Sequence, residues 1–440
     1  MGRDYWLRGS CALAAATLLG LTLAPRAVAV DIDSGLVLRV ESAYGTERRA
    51  LQKLELQIEP ALDLRFESGW KLAARGRFRA NARDELDVTT EGRIARDVLN
   101  RPWRWTDDIE FELRELYIDG NVGNAAIRLG KQQVVWGQAD GLRVLDVVNP
   151  FSYREFVLPD AADRRIPLWT VNVEWPLGDG TLQALWIPDA SYDEIPLRRQ
   201  PFAVTSPLWV PTATNVQRLN AERPTALAAR SEWGLRWQRQ IGRWDLTLNA
   251  LDHHHDTPAP FRERVAGVQA IRPRYERTRL LGGSAAIAMG SSALRVELGY
   301  STRRWFLSSA PDDEDGVFPS SELAYVIGLD YTGIDHTLLS AQVFQSHLSH
   351  HPVGALRRRT ESQATLLAQR DFAQDTWRLR LLLLRSLDRG DGAAQFQLSW
   401  RVRSAVTLSL GVDTFFGDPQ GLFGEFREAS RAIATVEIGF

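Results

Sequence analysis

Residues 231–251 read SEWGLRWQRQIGRWDLTLNAL. Taking every second position, one face holds Trp233, Leu235 and Trp237, then Trp244, Leu246 and Leu248. The other holds Gly234, Arg236 and Gln238, then Asp245, Thr247 and Asn249. A period of two marks β-strands, because successive side chains leave opposite sides of the pleat. The stretch therefore predicts a hairpin that is oily on one side and charged on the other. If Trp237 faces Trp244, the same register sets Arg236 opposite Asp245.

The pattern recurs along the chain. Leu54, Leu56, Ile58, Leu62, Leu64 and Phe66 alternate with Glu55, Gln57, Glu59, Asp63, Arg65 and Glu67. Phe396, Leu398, Trp400 and Val402 alternate with Gln395, Gln397, Ser399 and Arg401. No apolar stripe of helical period and helix length follows the N-terminal segment. Eighteen strands are expected, near 35–44, 51–67, 70–80, 109–119, 125–135, 169–175, 181–188, 231–239, 244–251, 278–288, 293–302, 322–331, 336–347, 362–372, 376–386, 394–403, 405–415 and 431–440. The pieces at 181–188 and 362–372 are weak, so 16 strands is the alternative. Short turns such as Asn121-Val122-Gly123-Asn124 alternate with long polar connections near 82–107, 136–168 and 189–230. This layout predicts an all-β fold, a transmembrane antiparallel up-and-down barrel with short periplasmic turns and long extracellular loops.

A soluble sandwich alternates too, so the side facing water must be argued. Arg3 and Arg8 precede an apolar run from Cys11 to Ala24, and Ala27-Val28-Ala29 offers a cleavage site. Residues 1–29 read as a signal peptide and residues 30–440 as the barrel. The run of 14 residues is too short to span a bilayer as a helix. Removing it leaves no cysteine, which excludes disulfides, thiolate metal sites and cysteine nucleophiles. Ala432, Ala434, Val436 and Ile438 alternate up to Phe440, an ending that resembles the insertion signal read by the barrel-assembly machinery. Trp70, Trp136, Trp169, Trp175, Trp233 and Trp377 fall at expected strand ends, where indole favours the lipid–water interface. The oily faces are therefore assigned to outer-membrane lipid and lipopolysaccharide, and the polar faces to an enclosed lumen.

Net charge is −2, which suggests no nucleic-acid partner. A three-residue turn at Ser68 to Trp70 would place Glu67 opposite Lys71, Asp63 opposite Arg75 and Glu59 opposite Arg79. Arg75, Arg77 and Arg79 then form a basic ladder beside Glu59 and Asp63. Arg128, Arg295, Arg378, Arg380 and Arg401 point inward on the same phase. The ladder either attracts anions or closes the lumen with ion pairs. The segment 136–168 carries Asp140, Arg143, Asp146, Arg154, Glu155, Arg164 and Arg165, stiffened by Pro150 and Pro159. It is a candidate constriction loop folded into the lumen, or else a cap over the mouth. His253-His254-His255 and His347 with His350-His351 are expected in solvated surface loops, and no metal is expected. Gly282-Gly283-Ser284-Ala285-Ala286 departs from the G-x-S-x-G elbow. His336 or His347 could serve a hydrolase as base, but nothing beyond composition supports an enzyme. No cofactor is expected.

At 115–175 the sequence contains Gly130-Lys131-Gln132, Trp136-Gly137 and Asn149-Pro150, and it closes on FFGDPQGLFGEFREASRAIATVEIGF. These landmarks resemble those of a family of proteobacterial outer-membrane barrels catalogued as a domain of unknown function. The resemblance implies an outer-membrane location and a transport role. Its members often stand beside inner-membrane exporters of the resistance-nodulation-division type and periplasmic carriers of lipid-like cargo. The expected function is a porin-like channel or the outer-membrane station of an export route. The alternatives are a closed structural or surface-binding barrel and, less favoured, an outer-membrane hydrolase.

Overall fold

The computed structural model describes residues 30–83, 95–139, 141–196, 200–208, 210–211 and 217–440. The signal-peptide reading of residues 1–29 and the candidate Asp140 lie outside the described residues.

Gly242-Arg243 is a two-residue turn, with Gly242 at a φ of 59° that costs other residues more. The hairpin it closes pairs Ile241 with Trp244 and Trp237 with Leu248. The expected register is thus corrected: Arg236 faces Asn249, and Asp245 faces Gln240. A tighter turn than the sequence suggested moves the partner strand by four residues. The facing is unaffected, because a shift of an even number keeps every side chain on its side. Trp233, Leu235 and Leu248 are more than half exposed on the outside, whereas Thr247 and Asn249 are buried on the inside.

Eighteen staves form the wall. They are β1 Val30–Gly45, β2 Ala50–Phe66, β3 Lys71–Asn81, β4 Ile109–Val122, β5 Ala125–Gln132 and β6 Leu168–Leu177. Next come β7 Gly180–Ile187, β8 Glu232–Ile241, β9 Trp244–His254, β10 Arg277–Met289, β11 Ser292–Leu307 and β12 Val317–Ile334. The ring is completed by β13 Thr337–Leu348, β14 Thr360–Phe372, β15 Trp377–Ser386, β16 Gly392–Arg403, β17 Val406–Phe416 and β18 Arg431–Gly439. Each pairs antiparallel with its successor, and β18 pairs with β1 from Val37↔Gly439 to Gly45↔Arg431. The barrel is closed, so no edge remains exposed along that seam. Both weak pieces, 181–188 and 362–372, are staves, which decides the count for 18 over 16.

The β2–β3 register also differs from expectation. Gln57 faces Arg79 and Ala61 faces Arg75. The ion pairs form diagonally instead: Arg75 and Lys71 both reach Asp63, at 2.8 and 3.1 Å. Glu59 binds Arg77 rather than Arg79, and Arg79 turns to Glu110 on β4 at 2.6 Å. Two further expectations fail. His253 and His254 are not in a solvated loop; they end β9 and are each 5% exposed. Trp136 is no interface residue, since it is buried and its Nε1 donates to Gln183 at 2.8 Å. The chain leaves the wall after Gln132, three residues earlier than β5 was expected to end.

Candidate functional site: the charged lumen

The wall is departed at Gln132 and rejoined at its pairing partner Leu168. Between them the chain touches staves all round the ring. The amides of Gln138 and Leu145 donate to Glu297 on β11. Val144, Leu145 and Val148 pack with Leu251, Leu280, Val326 and Phe344, from β9, β10, β12 and β13. Phe156 and Leu158 pack with Leu382 and Leu384 of β15, Ala393 of β16 and Phe415 of β17. Arg154 binds Glu55 on β2 at 2.5 Å, and Asp163 binds Arg77 on β3 at 2.7 Å. A segment in contact with staves on every side of a closed ring lies inside it. The apolar anchors explain why it stays there, since burying one such side chain contributes about 1.5–3 kcal/mol.

Glu155 is the hub of the inner charges. It binds Lys53 of β2 at 2.7 Å and Arg431 of β18 at 2.6 Å, with Arg154 at 3.5 Å. Burial alone would raise its carboxyl, but Lys53, Arg431 and Arg154 overcome burial and hold it at about 2. Phe151 forms a second node, with the guanidinium carbons of Arg143, Arg164 and Arg165 at 4.0, 4.8 and 5.7 Å from its ring centre. Such stacking tolerates cations that lack a full set of anions. Arg165 is paired with Asp146 at 2.6 Å. Arg143 donates to the Tyr153 hydroxyl at 3.0 Å. Arg164 donates to the carbonyls of Pro159 and Phe156, and burial pulls its pKa down to about 10.

Between the inner segment and the wall of β1–β4 and β14–β18 lies a cavity of about 530 Å³. Arg39, Arg77, Arg79, Arg154, Arg164, Arg378, Arg380 and Arg431 line it on one side or another. Gln369, Gln395, Gln397, Ser399, Ser409 and Thr435 supply a neutral polar flank. Among the described residues, twelve Lys and Arg side chains line it against nine Asp and Glu. A second cavity of about 410 Å³ lies on the other side of the segment, bounded by Arg143, Tyr153, Asp193, His255, Asp256, Glu322 and Arg357. There burial pushes the His255 imidazole well below its ordinary range and the Asp256 carboxyl well above.

The expected site residues divide accordingly. Arg77, Arg79, Arg154, Glu155, Arg164, Arg378 and Arg380 line the larger cavity, while Arg143 faces the smaller one. Glu59 is bound to Arg77, and Asp63 with Arg75 sits outside the cavity lining. Arg128 is paired with Asp119 at 2.6 Å, Arg295 reaches Asp330 at 2.7 Å, and Arg401 is exposed at the β16–β17 turn; none lines either cavity. Phe440 is 72% exposed and its amide donates to Leu36 across the seam. Arg39, Glu112, Arg114 and Arg431 belong to the lumen although they were not among the residues expected there. For Arg114 the cause is a bulge: Arg75 pairs with Glu115 and Gly76 with Leu113, so Arg114 is skipped and turns inward beside Glu112. For Arg39 and Arg431 the alternation of β1 and β18 was signal enough. Among the described residues no group of histidine, cysteine and carboxylate side chains is arranged to hold a metal. The histidines named as possible bases engage otherwise, His336 with Asp375 at 3.0 Å and His347 with Thr360 at 2.8 Å.

A closed ring of eighteen antiparallel staves, apolar outside and charged within, with a connection folded into its bore, has the architecture of outer-membrane porins. Solved structures carry the same fold: OccAB2 of Acinetobacter baumannii (10% identical, TM-score 0.52, 93% of this chain and 98% of that one). Others are OccK2 (OpdF) of Pseudomonas aeruginosa in complex with glucuronate (12%, TM-score 0.50, 93% and 97%) and a BenF-like porin from Pseudomonas fluorescens Pf-5 (10%, TM-score 0.50, 93% and 98%). The chain itself belongs to the family described as "Protein of unknown function (DUF1302)", which it matches over residues 46–440. A stretch of 129 residues, 28% of this chain, is 25% identical to the "Probable phospholipid transport protein YdbH" of Escherichia coli (strain K12). The match spans 15% of the length of that curated relative.

Proposed function

We propose that the protein is an outer-membrane channel for small hydrophilic solutes, with a preference for anions. The observation that carries this reading is the cavity of about 530 Å³ inside the ring, lined among the described residues by twelve basic and nine acidic side chains. A cationic excess enclosed by low-dielectric walls raises the local concentration of anions and steers them inward. The inner segment narrows the bore, so passing solutes meet the guanidinium groups at close quarters. The porin fold of the similar structures supports a non-enzymatic role. Export to the outer membrane through a cleaved signal at 1–29, and insertion through the strand ending in Phe440, complete the reading. Purified protein in a planar bilayer should give stable open steps and, under a salt gradient, a reversal potential of the sign for anion flow. A silent bilayer would overturn it and leave the closed structural barrel.

Handing lipid-like cargo between an inner-membrane exporter, a periplasmic carrier and this barrel is a second reading. It is favoured by the short likeness to the phospholipid transport protein. Co-purification of an exporter or carrier from the native membrane would test it, and its repeated absence would count against it.

A further inference from the structure

The wall is uneven. Staves β5 and β7 have 8 residues each and β6 has 10, whereas β11 and β12 have 16 and 18. A stave of 8 residues at about 3.3 Å per residue, tilted roughly 40°, rises about 20 Å, less than the apolar band of about 25 Å. Above Gln132, where β5 ends, β4 runs on to Ile109 with β3 still paired on its far side. The wall therefore has a notch above Gln132, on the side away from the turn that joins β4 and β5.

One strap, residues 97–105, fills that notch. Trp103 and Arg104 pair with Phe111 and Glu110 on the edge that β5 leaves free. Pro102 and Arg104 line the larger cavity from inside. Trp103 and Trp105, 62% and 66% exposed, face outward against Phe111 and Phe78. Val98 and Leu99 are each 75% exposed. Here the barrier between cationic cavity and lipid is a single thickness of chain, laddered to the wall along one edge. On the other side it is held by side chains: Trp169 donates to the Leu99 carbonyl at 3.3 Å and Asn100 to the Pro167 carbonyl at 2.8 Å.

We propose that this strap covers a lateral doorway, and that the barrel binds single-chain amphiphiles with an anionic head in the cavity and an alkyl tail through the notch into the outer leaflet. Guanidinium groups behind the strap match the head by charge, and the apolar surface of the strap matches the tail. The inference rests on the lumen being reachable by solute, but its test reads a different property from conductance. Full-length protein in lipid vesicles is labelled with laurate carrying a photoreactive diazirine at its alkyl end. Strap peptides spanning 97–105 should be labelled about tenfold more than belt peptides containing Leu248 or Leu410, and unlabelled laurate should compete whereas gluconate should not. Crosslinking Leu99→Cys to Trp169→Cys with a short bismaleimide should remove the excess relative to the same variant left uncrosslinked. V98S/L99S, at two exposed positions, should lower it severalfold with the fold intact. Equal labelling of strap and belt, or an excess indifferent to both crosslink and V98S/L99S, would overturn the doorway. A conducting channel with no excess would sink this inference alone; a silent bilayer with a crosslink-sensitive excess would sink the channel alone.

Discussion

Glu155 shows how much of the lumen depends on single charges. It is fully surrounded by cations that are themselves buried, Lys53 and Arg431 each 3% exposed. Removing one partner of a buried ionic cluster leaves the others uncompensated, at a cost of about 3–5 kcal/mol. Glu155→Gln should therefore lower the temperature at which the folded band is lost in heat-modifiability gels. The carboxyl is held at about 2, below its unfolded value near 4.3, so its stabilisation is present above that unfolded value and fades as the pH falls toward 2. Wild-type protein should lose stability across that window, and Glu155→Gln should lose less of it. Gly234 makes a steric counterpart. A Cβ there would stand 2.9 Å from the Trp136 ring. Gly234→Leu should overpack that contact by about 1–3 kcal/mol and expose the chain after Gln132 to protease, a change limited proteolysis would register.

At the scale of elements, the staves were legible and the inner segment much less so, for one physical reason. A stave between lipid and water must alternate, and eighteen alternating runs survive errors of register because paired shifts keep the facing. The turn at Gly242-Arg243 moved the hairpin partner by four residues without disturbing which tryptophans meet lipid. The inner segment obeys no period, because Val144, Leu145 and Val148 meet the wall of β9–β13 and Phe156 and Leu158 that of β15–β17. Its trace in the sequence lies on the staves instead: Leu251, Leu280, Val326 and Phe344 put oil on faces that point inward, where water alone would favour polar groups. The buried His253 and His254 were misread for a related reason, since polarity alone does not reveal that loops close over a strand end. Phe156 is the anchor to remove. Its ring stands 4.4 Å from Phe426 and about 6 Å from Phe415 and Phe423. Phe156→Ala should cost the docked segment about 3–5 kcal/mol, and single-channel records should show larger, noisier openings.

The whole molecule sets a balance of charge that no one residue decides. Most lumenal arginines are bound to carboxylates, so the field in the bore comes from the excess of twelve cations over nine anions among the described residues. Arg164, Arg378 and Arg380 carry that excess at least structural cost. Arg164 is held by carbonyls, Arg378 by Asp371 near the β14–β15 turn, and Arg380 by Asp160, which is 77% exposed and 3.6 Å away. Changing all three to glutamine leaves nine basic against nine acidic side chains around the cavity among the described residues. The anion preference should then vanish, with the reversal potential under a salt gradient moving to near zero while conductance steps persist. In wild-type protein the preference should also fade between 0.1 M and 1 M salt, as the screening length falls from about 10 to about 3 Å. A triple variant that keeps its anion preference would mean that solute passes elsewhere than along this cavity, and the larger void would then be filler between an inner segment and its wall.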